Sequence, residues 1–132
     1  PYVLEAFNKG GITPVIAPIG LGPDGETLNI NADTVAGAIA RAVGAVRLYM
    51  LTDVAGVLDG DGNLIPEMTM ADAQGLIDDG TIVGGMIPKI ETCMDVVKSG
   101  VDAATVIDGR VPNAILIELF TKGGVGTQIV RN

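Results

Sequence analysis

Short apolar runs alternate along this chain with segments of helical period, and this alternation is the feature that most limits its fold. Runs with the length and β-branched content of strands occupy 13–20, 46–53, 102–109 and 124–130. Between them, apolar residues recur at the spacing of one helix face. Because strands joined by helices pair mainly in parallel, the pattern predicts an α/β fold, with a mostly parallel open sheet and helices on both faces.

The side chains available for the interior agree with a sheet of buried strands. Hydrophobic residues make up 48% of the chain but aromatic residues only 3%, so Val, Ile, Leu, Met and Ala must fill the core. A length of 132 residues suits one domain, and no internal repeat or linker divides the sequence. We therefore expect residues 1–132 to form a single domain.

Start and stop signals define three longer helices. Each begins at a polar N-cap or at a proline, and each ends at a glycine. The start residues are Asn31, Thr69 within an approximate capping box, and Pro88. The predicted spans are 31–44, 69–80 and 88–100.

Turn residues and shorter patterns define the remaining segments. Pro-Asp-Gly at 23–25 predicts a β-hairpin excursion, and the loop 53–67 is rich in glycine and acid, which favours an irregular or hairpin segment. A short helix is expected at 111–120. The chain opens within a helical pattern at 1–11, which predicts a piece cut from something longer.

The charge and the missing residue types exclude several classes of function. A net charge of -8 without a basic cluster repels nucleic-acid backbones and anionic lipid, so we expect neither as a partner. The absence of histidine excludes His-based catalysis and metal binding by these residues, and the single Cys93 excludes an internal disulfide. No apolar run reaches the ~18 residues of a membrane span, and a cytoplasmic setting is expected.

Glycines and polar residues collect where predicted strands end and helices begin. Three such segments are Asn-Ile-Asn-Ala-Asp at 29–33, Thr-Asp-Val-Ala-Gly at 52–56 and Gly-Gly-Met-Ile-Pro-Lys at 84–89. Ligands of open α/β sheets bind beyond the carboxyl ends of strands. Glycine backbone and a helix N-terminus favour a phosphate, and Lys89 would add a full positive charge.

Each of these residues also has a purely structural interpretation. Gly84 and Gly85 with the following proline make an ordinary helix entry, and Lys89 alone could be a solvated helix lysine. Asp53 could cap or turn the chain, while Asn29 and Asp33 could be hairpin and helix-start residues. The Gly-Asp-Gly at 60–62 is typical of a turn rather than of a metal loop. The residue pattern alone therefore indicates only a candidate phosphate site.

Five motifs in order give the chain a family resemblance. Pro-Val-Ile-Ala-Pro-Ile-Gly, Asn-Ile-Asn-Ala-Asp, Leu-Thr-Asp-Val-Ala-Gly-Val-Leu, Gly-Gly-Met-Ile-Pro-Lys and the segment 107–127 resemble the C-terminal, ATP-binding half of N-acetylglutamate kinases, of the amino acid kinase superfamily. The resemblance runs over nearly all of the chain. The family's N-terminal half, with its glycine-rich stretch, second catalytic lysine and most of the acetylglutamate pocket, has no counterpart here.

The resemblance implies a reaction and a set of site residues. Such enzymes use MgATP to phosphorylate the side-chain carboxylate of N-acetyl-L-glutamate in arginine biosynthesis, with Mg²⁺ bound to the phosphates and no metal site of the protein implied. By resemblance, Lys89 stabilises the transferring phosphoryl group, Asp33 holds the catalytic lysines and Asn29 contacts the substrate's α-carboxylate. The nucleotide-binding residues implied by the motifs are Asp53, Val54, Ala55, Gly56, Val57, Leu58, Thr81, Ile82, Val83, Gly84 and Gly85.

The resemblance also implies partners and an inhibitor site. In arginine-controlled relatives the inhibitor binds near a segment like 117–127, which makes Glu118 a candidate ligand of the guanidinium; a surface role at a helix end is the alternative. We expect the missing N-terminal half of the same enzyme and further copies of the chain as partners. This piece alone is expected to be inactive.

Two other interpretations stay open from the sequence. The chain could be the nucleotide half of another amino acid kinase, for aspartate, glutamate, carbamate or uridylate, since the substrate half is absent. It could also be a nucleotide-binding or interaction module without turnover. Nucleotide titration and a turnover assay separate these classes.

Overall fold

The computed structural model describes residues 2–131, which form five helices and six strands. In chain order, the elements are α1 (Tyr2–Lys9), β1 (Ile19–Leu21), β2 (Thr27–Asn29), α2 (Ala32–Val43), β3 (Arg47–Thr52), β4 (Glu67–Thr69), α3 (Met70–Asp78), α4 (Met86–Lys98), β5 (Ala103–Asp108), α5 (Ala114–Phe120) and β6 (Thr127–Val130).

Four strands form the central sheet, in the order β3-β5-β6-β4. The pairs β3–β5 and β4–β6 are parallel, whereas β5–β6 is antiparallel. The prediction of a mostly parallel α/β sheet is therefore confirmed. The strands β1 and β2 pair separately as an antiparallel hairpin, and Gly25 in its turn has a φ of 83°, so the predicted hairpin is confirmed as well.

The core lies between one face of the sheet and the helices α2, α3 and α4. Strand residues on this face alternate with residues on the other, as the pleat requires, and Leu48, Met50, Ala104 and Val106 belong to the main buried cluster. From α4, the cluster includes Ile90, Cys93, Val96 and Val97. Burial raises the pKa of the Cys93 thiol to about 12, so this thiol is inert at neutral pH.

The second face of the sheet carries the short helix α5. Ile107 and Ala114 are buried there outside the main cluster, and Leu51 of β3 shares a small cavity with Ala114 and Leu116 of α5. Helices therefore flank both faces, as predicted. Within the described part of the chain, no helix has both the length and the hydropathy needed to cross a membrane.

The predicted caps of α2 and the capping box of α3 are confirmed, whereas other helix boundaries shift. The helices α3 and α4 end two residues before the predicted Gly80 and Gly100, and α5 begins at Ala114 rather than at 111. Asn31 caps α2, Gly44 ends it in the left-handed conformation, and Thr69 with Asp72 forms the capping box of α3. The helix α4 begins at Met86 rather than at the predicted Pro88. A proline is accepted anywhere in the first turn, where its missing N–H has no partner to lose, so the helix can begin before it.

One prediction about the strands is wrong, and one strand was not predicted. The run from Thr13 is not a buried strand: residues 12–17 have no regular secondary structure, and Val15 and Ile16 are 96% and 46% exposed. A strand needs a neighbour for its backbone groups, and in the described residues the sheet ends at β3. The strand β4 was not predicted, because three residues are too few for a visible alternation.

Candidate active site

The start of α2 leaves the carboxylate of Asp33 free for a distant partner. The side chain of Asn31 accepts hydrogen bonds from the backbone N–H groups of Asp33 and Thr34, at 2.9 and 3.2 Å. Asn31 therefore satisfies the first free donors of the helix. Asp33, in the first turn, is not needed as a cap for its own helix.

The partner of Asp33 is Lys89 of α4. The Nζ of Lys89 donates to Oδ2 of Asp33 over 2.7 Å, and the two side chains are 18% and 27% exposed. The sequence could not show whether the fold brings these two residues together, and this contact shows that it does. A lysine fixed by a charge-assisted hydrogen bond points in one direction, which a solvated lysine does not.

The N-terminal end of α4 provides a positive environment around this pair. No side chain caps the helix at Gly85, and Gly84 precedes it with a φ of 58°, a left-handed conformation that favours glycine. The helix start therefore has no side-chain cap among the described residues and carries the positive end of the helix dipole. Lys89 adds its charge to the same end of the helix.

Hydrogen bonds to Thr127 of β6 hold the loop that follows β3. The backbone N–H of Val57 donates to Oγ1 of Thr127 over 2.8 Å, and that hydroxyl donates to the carbonyl oxygen of Ile65 over 2.7 Å. Gly56 has a φ of 144°, and a Cβ on it would lie 2.6 Å from the same hydroxyl. Only glycine fits at this close approach, so the conformation of the loop is fixed.

The predicted nucleotide residues divide into buried and exposed sets. Gly56, Val57 and Ile82 are buried, and the side chains of Val57 and Ile82 belong to the core rather than to a ligand surface. Exposed or partly exposed members, which a ligand could reach, are Asp53, Val54, Ala55, Leu58, Thr81, Val83, Gly84 and Gly85. Asn29 is exposed at the end of β2, four residues before Asp33 in the chain.

The acidic loop at 59–63 has the geometry of a turn. Oδ1 of Asp59 accepts from the backbone N–H groups of Asp61 and Asn63, at 2.9 and 2.8 Å. Hydrogen bonds from Asn63 lower the pKa of Asp59 from its usual value. The turn interpretation of this glycine-rich segment fits these contacts. In the described residues, no group of three His, Cys, Asp or Glu side chains has the arrangement to hold a metal ion.

Glu118 borders a cavity of about 460 Å³ whose lining includes neither Asp33 nor Lys89. The cavity has both signs of charge, with Arg47 and Lys122 beside Glu67 and Glu118. Oε2 of Glu118 accepts a hydrogen bond from the backbone N–H of Val125 over 2.8 Å, and Oε1 takes no part in this hydrogen bond. Glu118 is thus held by a hydrogen bond through one carboxylate oxygen, while its second oxygen is not part of that bond.

Sequence reasoning missed two polar contacts near the carboxyl ends of the strands. Thr127 gave no signal, because a threonine within an apolar strand is ordinary. Arg110 was also missed: its Nε and Nη2 donate to the two carboxylate oxygens of Asp108, over 2.9 and 2.8 Å. These hydrogen bonds lower the pKa of Asp108 to about 2. A cation two residues after a carboxylate is common, so spacing alone does not identify such a pair.

The sequence profile of the Amino acid kinase family matches residues 2–108, which is most of the chain. The chain belongs to the amino acid kinase family. Within this family, curated proteins named acetylglutamate kinase are similar to it. The one from Acidiphilium cryptum is 62% identical over 127 residues, which cover 96% of this chain and 42% of that protein. The one from Rhodospirillum centenum is 63% identical over 131 residues, covering 99% of this chain and 43% of that protein.

Solved structures extend the similarity of this amino acid kinase chain. N-acetylglutamate synthase from Neisseria gonorrhoeae, crystallised with coenzyme A and L-arginine, superposes with a TM-score of 0.92 at 25% identity, over 99% of this chain and 30% of that one. The chain thus spans 42% of the length of the Acidiphilium relative and a smaller part of the synthase.

Proposed function

We propose that this chain is the ATP-binding, C-terminal half of a kinase that phosphorylates the side-chain carboxylate of N-acetyl-L-glutamate. The observation that carries the proposal is the 2.7 Å contact between Lys89 and Asp33 at the starts of two helices. It gives a directed positive charge beside the glycine-containing start of α4, where we propose that the phosphates bind. The names of the relatives support N-acetyl-L-glutamate as the substrate.

The reaction needs positioning more than proton transfer. A carboxylate oxygen of the substrate attacks the γ-phosphorus, the bond to the β-γ bridging oxygen breaks, and ADP and an acyl phosphate result. The carboxylate is already ionised near pH 7, so no general base is required. This agrees with a chain that has no histidine. Both reactants are anions, so cations around the spreading charge supply most of the rate enhancement.

Each site residue then has a role. Lys89 stabilises the charge on the transferring group, and Asp33 keeps the ammonium of Lys89 aimed at it. The exposed members of the two nucleotide segments, 53–58 and 81–85, contact ATP. Asn29 contacts the α-carboxylate of the amino acid. Mg²⁺ enters with the nucleotide, where it neutralises phosphate charge.

The direct test is a turnover assay of the full-length protein with MgATP. Addition of hydroxylamine traps an acyl phosphate as a hydroxamate. We expect hydroxamate with N-acetyl-L-glutamate and little with aspartate, glutamate or carbamate. Phosphorylation of uridylate, or of one of the other acceptors in preference to N-acetyl-L-glutamate, would assign the chain to another amino acid kinase.

A module without turnover is the second candidate. Its support is the likeness to a protein named a synthase rather than a kinase, because a fold shared by two chemistries does not specify one of them. Nucleotide binding by the full-length protein, without hydroxamate from any acceptor, would favour this candidate.

The isolated chain of 132 residues provides a further test. Half a site leaves the phosphates open to water, where each charge interaction is weakened. We expect the isolated chain to bind MgATP weakly and to form no acyl phosphate. Its exposed apolar side chains, such as Tyr2 at 85% and Val15 at 96%, support self-association and contact with the remaining part of the enzyme. The cytoplasm, which supplies ATP, is the proposed location.

We also propose that the cavity beside Glu118 takes arginine as an inhibitor. Its carboxylate can accept from a guanidinium, and the cavity of about 460 Å³ can accommodate an amino acid. Calorimetric titration of the full-length protein with arginine tests this. Glu118→Gln should weaken binding at least about tenfold, whereas Glu5→Gln on the exposed helix α1 should not. Equal affinities in both variants would leave Glu118 as a residue that holds its own loop.

A further inference from the structure

The helices α2 and α4 pack together without space for a side chain at Gly37. A Cβ built on this buried glycine would lie 2.6 Å from Cγ2 of Thr92 and 3.4 Å from Cγ2 of Val96. Distances under 3.0 Å essentially do not occur for real Cβ atoms. The backbone at position 37 does not require glycine, because it lies within a regular helix, where glycine is unfavourable relative to alanine. The contact between the helices is the remaining reason for glycine here.

Thr92 cannot easily move away from residue 37. Its Oγ1 donates to the carbonyl oxygen of Pro88, one turn earlier in α4, over 2.8 Å. A β-branched side chain has a stiff χ1 in a helix, and this hydrogen bond fixes it further. The methyl group of Thr92 therefore stays against Gly37. Added volume at position 37 would separate the helices rather than rotate the threonine.

The same packing of α2 against α4 brings Asp33 into contact with Lys89. Asp33 lies one turn before Gly37 on the same face of α2, and Lys89 lies one turn before Thr92 on the same face of α4. The separation of the helices at Gly37 thus sets the distance between the carboxylate and the ammonium, which is 2.7 Å.

We infer that Gly37 is a positioning residue of the active site. Its missing side chain lets α2 approach α4 closely enough for Asp33 to hold Lys89 in place. The inference rests on the proposed function for its catalytic consequence, but not for the contact itself. An ordinary contact for a new Cβ begins at 3.4 Å, so Gly37→Ala parts the helices by about 1 Å. A misplacement of about 1 Å can cost about a hundredfold in rate.

The experiment uses the full-length protein with Gly37→Ala and a matched control. Gly75→Ala is the control, because it makes the same change in α3 with nothing within 4 Å of the new Cβ. The first readout is acylation of Lys89 by a water-soluble ester, quantified by mass spectrometry against Lys98 of the same helix. The second readout is kcat and KM for acetylglutamate phosphorylation. Gly37→Ala is also combined with Asp33→Asn.

We expect Lys89 to react several-fold faster in Gly37→Ala and at the parent rate in Gly75→Ala. The kcat of Gly37→Ala should fall at least about tenfold with a smaller change in the KM for ATP. In the Asp33→Asn background, Gly37→Ala should cost little more, because residues that act through one contact are not additive. A merely structural glycine would lower stability without these effects.

Unchanged labelling of Lys89 in folded Gly37→Ala would overturn the inference, as would losses of kcat that multiply in the double variant. Should Gly37→Ala not fold, Gly37→Ala with Thr92→Ser removes the opposing methyl group and keeps the hydroxyl bonded to Pro88. Protection of Lys89 in that double variant supports the inference, and exposure of Lys89 contradicts it. A parent protein without kinase activity would contradict the proposed function. The labelling results would still show whether Gly37 positions Lys89.

Discussion

Lys89 and Asp33 are 56 positions apart in the chain, yet the Nζ of one lies 2.7 Å from the Oδ2 of the other. Helix stability does not account for the lysine, because a cation near the start of α4 faces the positive end of the helix dipole. An ion pair that is 18% and 27% exposed contributes modestly to folding. The phosphate proposed to bind at this end of the helix gives the lysine a role that stability does not.

Lys89→Met should remove rate rather than fold. The substitution keeps the aliphatic stem but removes the charge that we propose stabilises the phosphoryl group. We expect kcat to fall at least about a hundredfold, which corresponds to about 3 kcal/mol of transition-state stabilisation. Steady-state kinetics of the full-length protein measure this. Lys98→Met, in the exposed last turn of the same helix, is the control, and a similar loss in both variants would argue against a special role for Lys89.

Asp33→Asn should lower turnover while leaving α2 intact. The amide keeps the size of the side chain but not its charge, so the ammonium of Lys89 loses its orientation. Capping is unaffected, because Asn31 caps the helix. We expect a sharp fall in kcat with an unchanged circular dichroism spectrum. An unfolded variant would instead show that the ion pair is needed for the fold.

Local signals in the sequence were sufficient to predict most of the helices. Asn31, Gly44 and the Thr69 capping box act through neighbours within one turn, so their effect can be read from adjacent letters. The prediction of a strand from Thr13 was wrong for the opposite reason. A strand forms only beside another strand, and the sequence of the run does not show whether one is present.

The site shows the same division between local and distant information. The sequence identified Lys89 and Asp33 as separate candidates from their local settings and from the family resemblance. Their contact depends on how α2 packs against α4, which no short stretch encodes. Thr127 was missed because its partners, Val57 and Ile65, are more than sixty residues away.

The stability of this chain should depend on pH through Asp108. Hydrogen bonds from Arg110 lower the pKa of Asp108 from 3.8 to about 2, so the native state favours the charged form. This contribution is present above pH 4 and is lost as the pH falls towards 2. Arg110→Gln should therefore lower the urea midpoint at pH 7 relative to the parent. Near pH 2.5, the difference in midpoint between the parent and the variant should be smaller. Arg41→Gln, on the exposed side of α2, should show no such narrowing.

Thr127 and Thr105 offer a direct comparison of two buried hydroxyl groups. Both threonines are 0% exposed. The hydroxyl of Thr127 bonds to the backbone of Val57 and Ile65, whereas Oγ1 of Thr105 has no hydrogen-bond partner in the described residues. The same substitution to valine therefore removes two hydrogen bonds at one site and an unsatisfied polar atom at the other.

Thr127→Val should destabilise the chain by about 2 kcal/mol or more, because it leaves a buried N–H and a partly buried C=O without partners. Thr105→Val should be neutral or stabilising, since it removes a hydroxyl whose burial nothing offsets. Urea unfolding monitored by circular dichroism measures both. Because Val57 lies in the segment proposed to contact ATP, Thr127→Val should also weaken nucleotide binding in the full-length protein, and Thr105→Val should not. Equal destabilisation by the two substitutions would mean that lost volume or shape, rather than the hydrogen bonds of Thr127, determines the result.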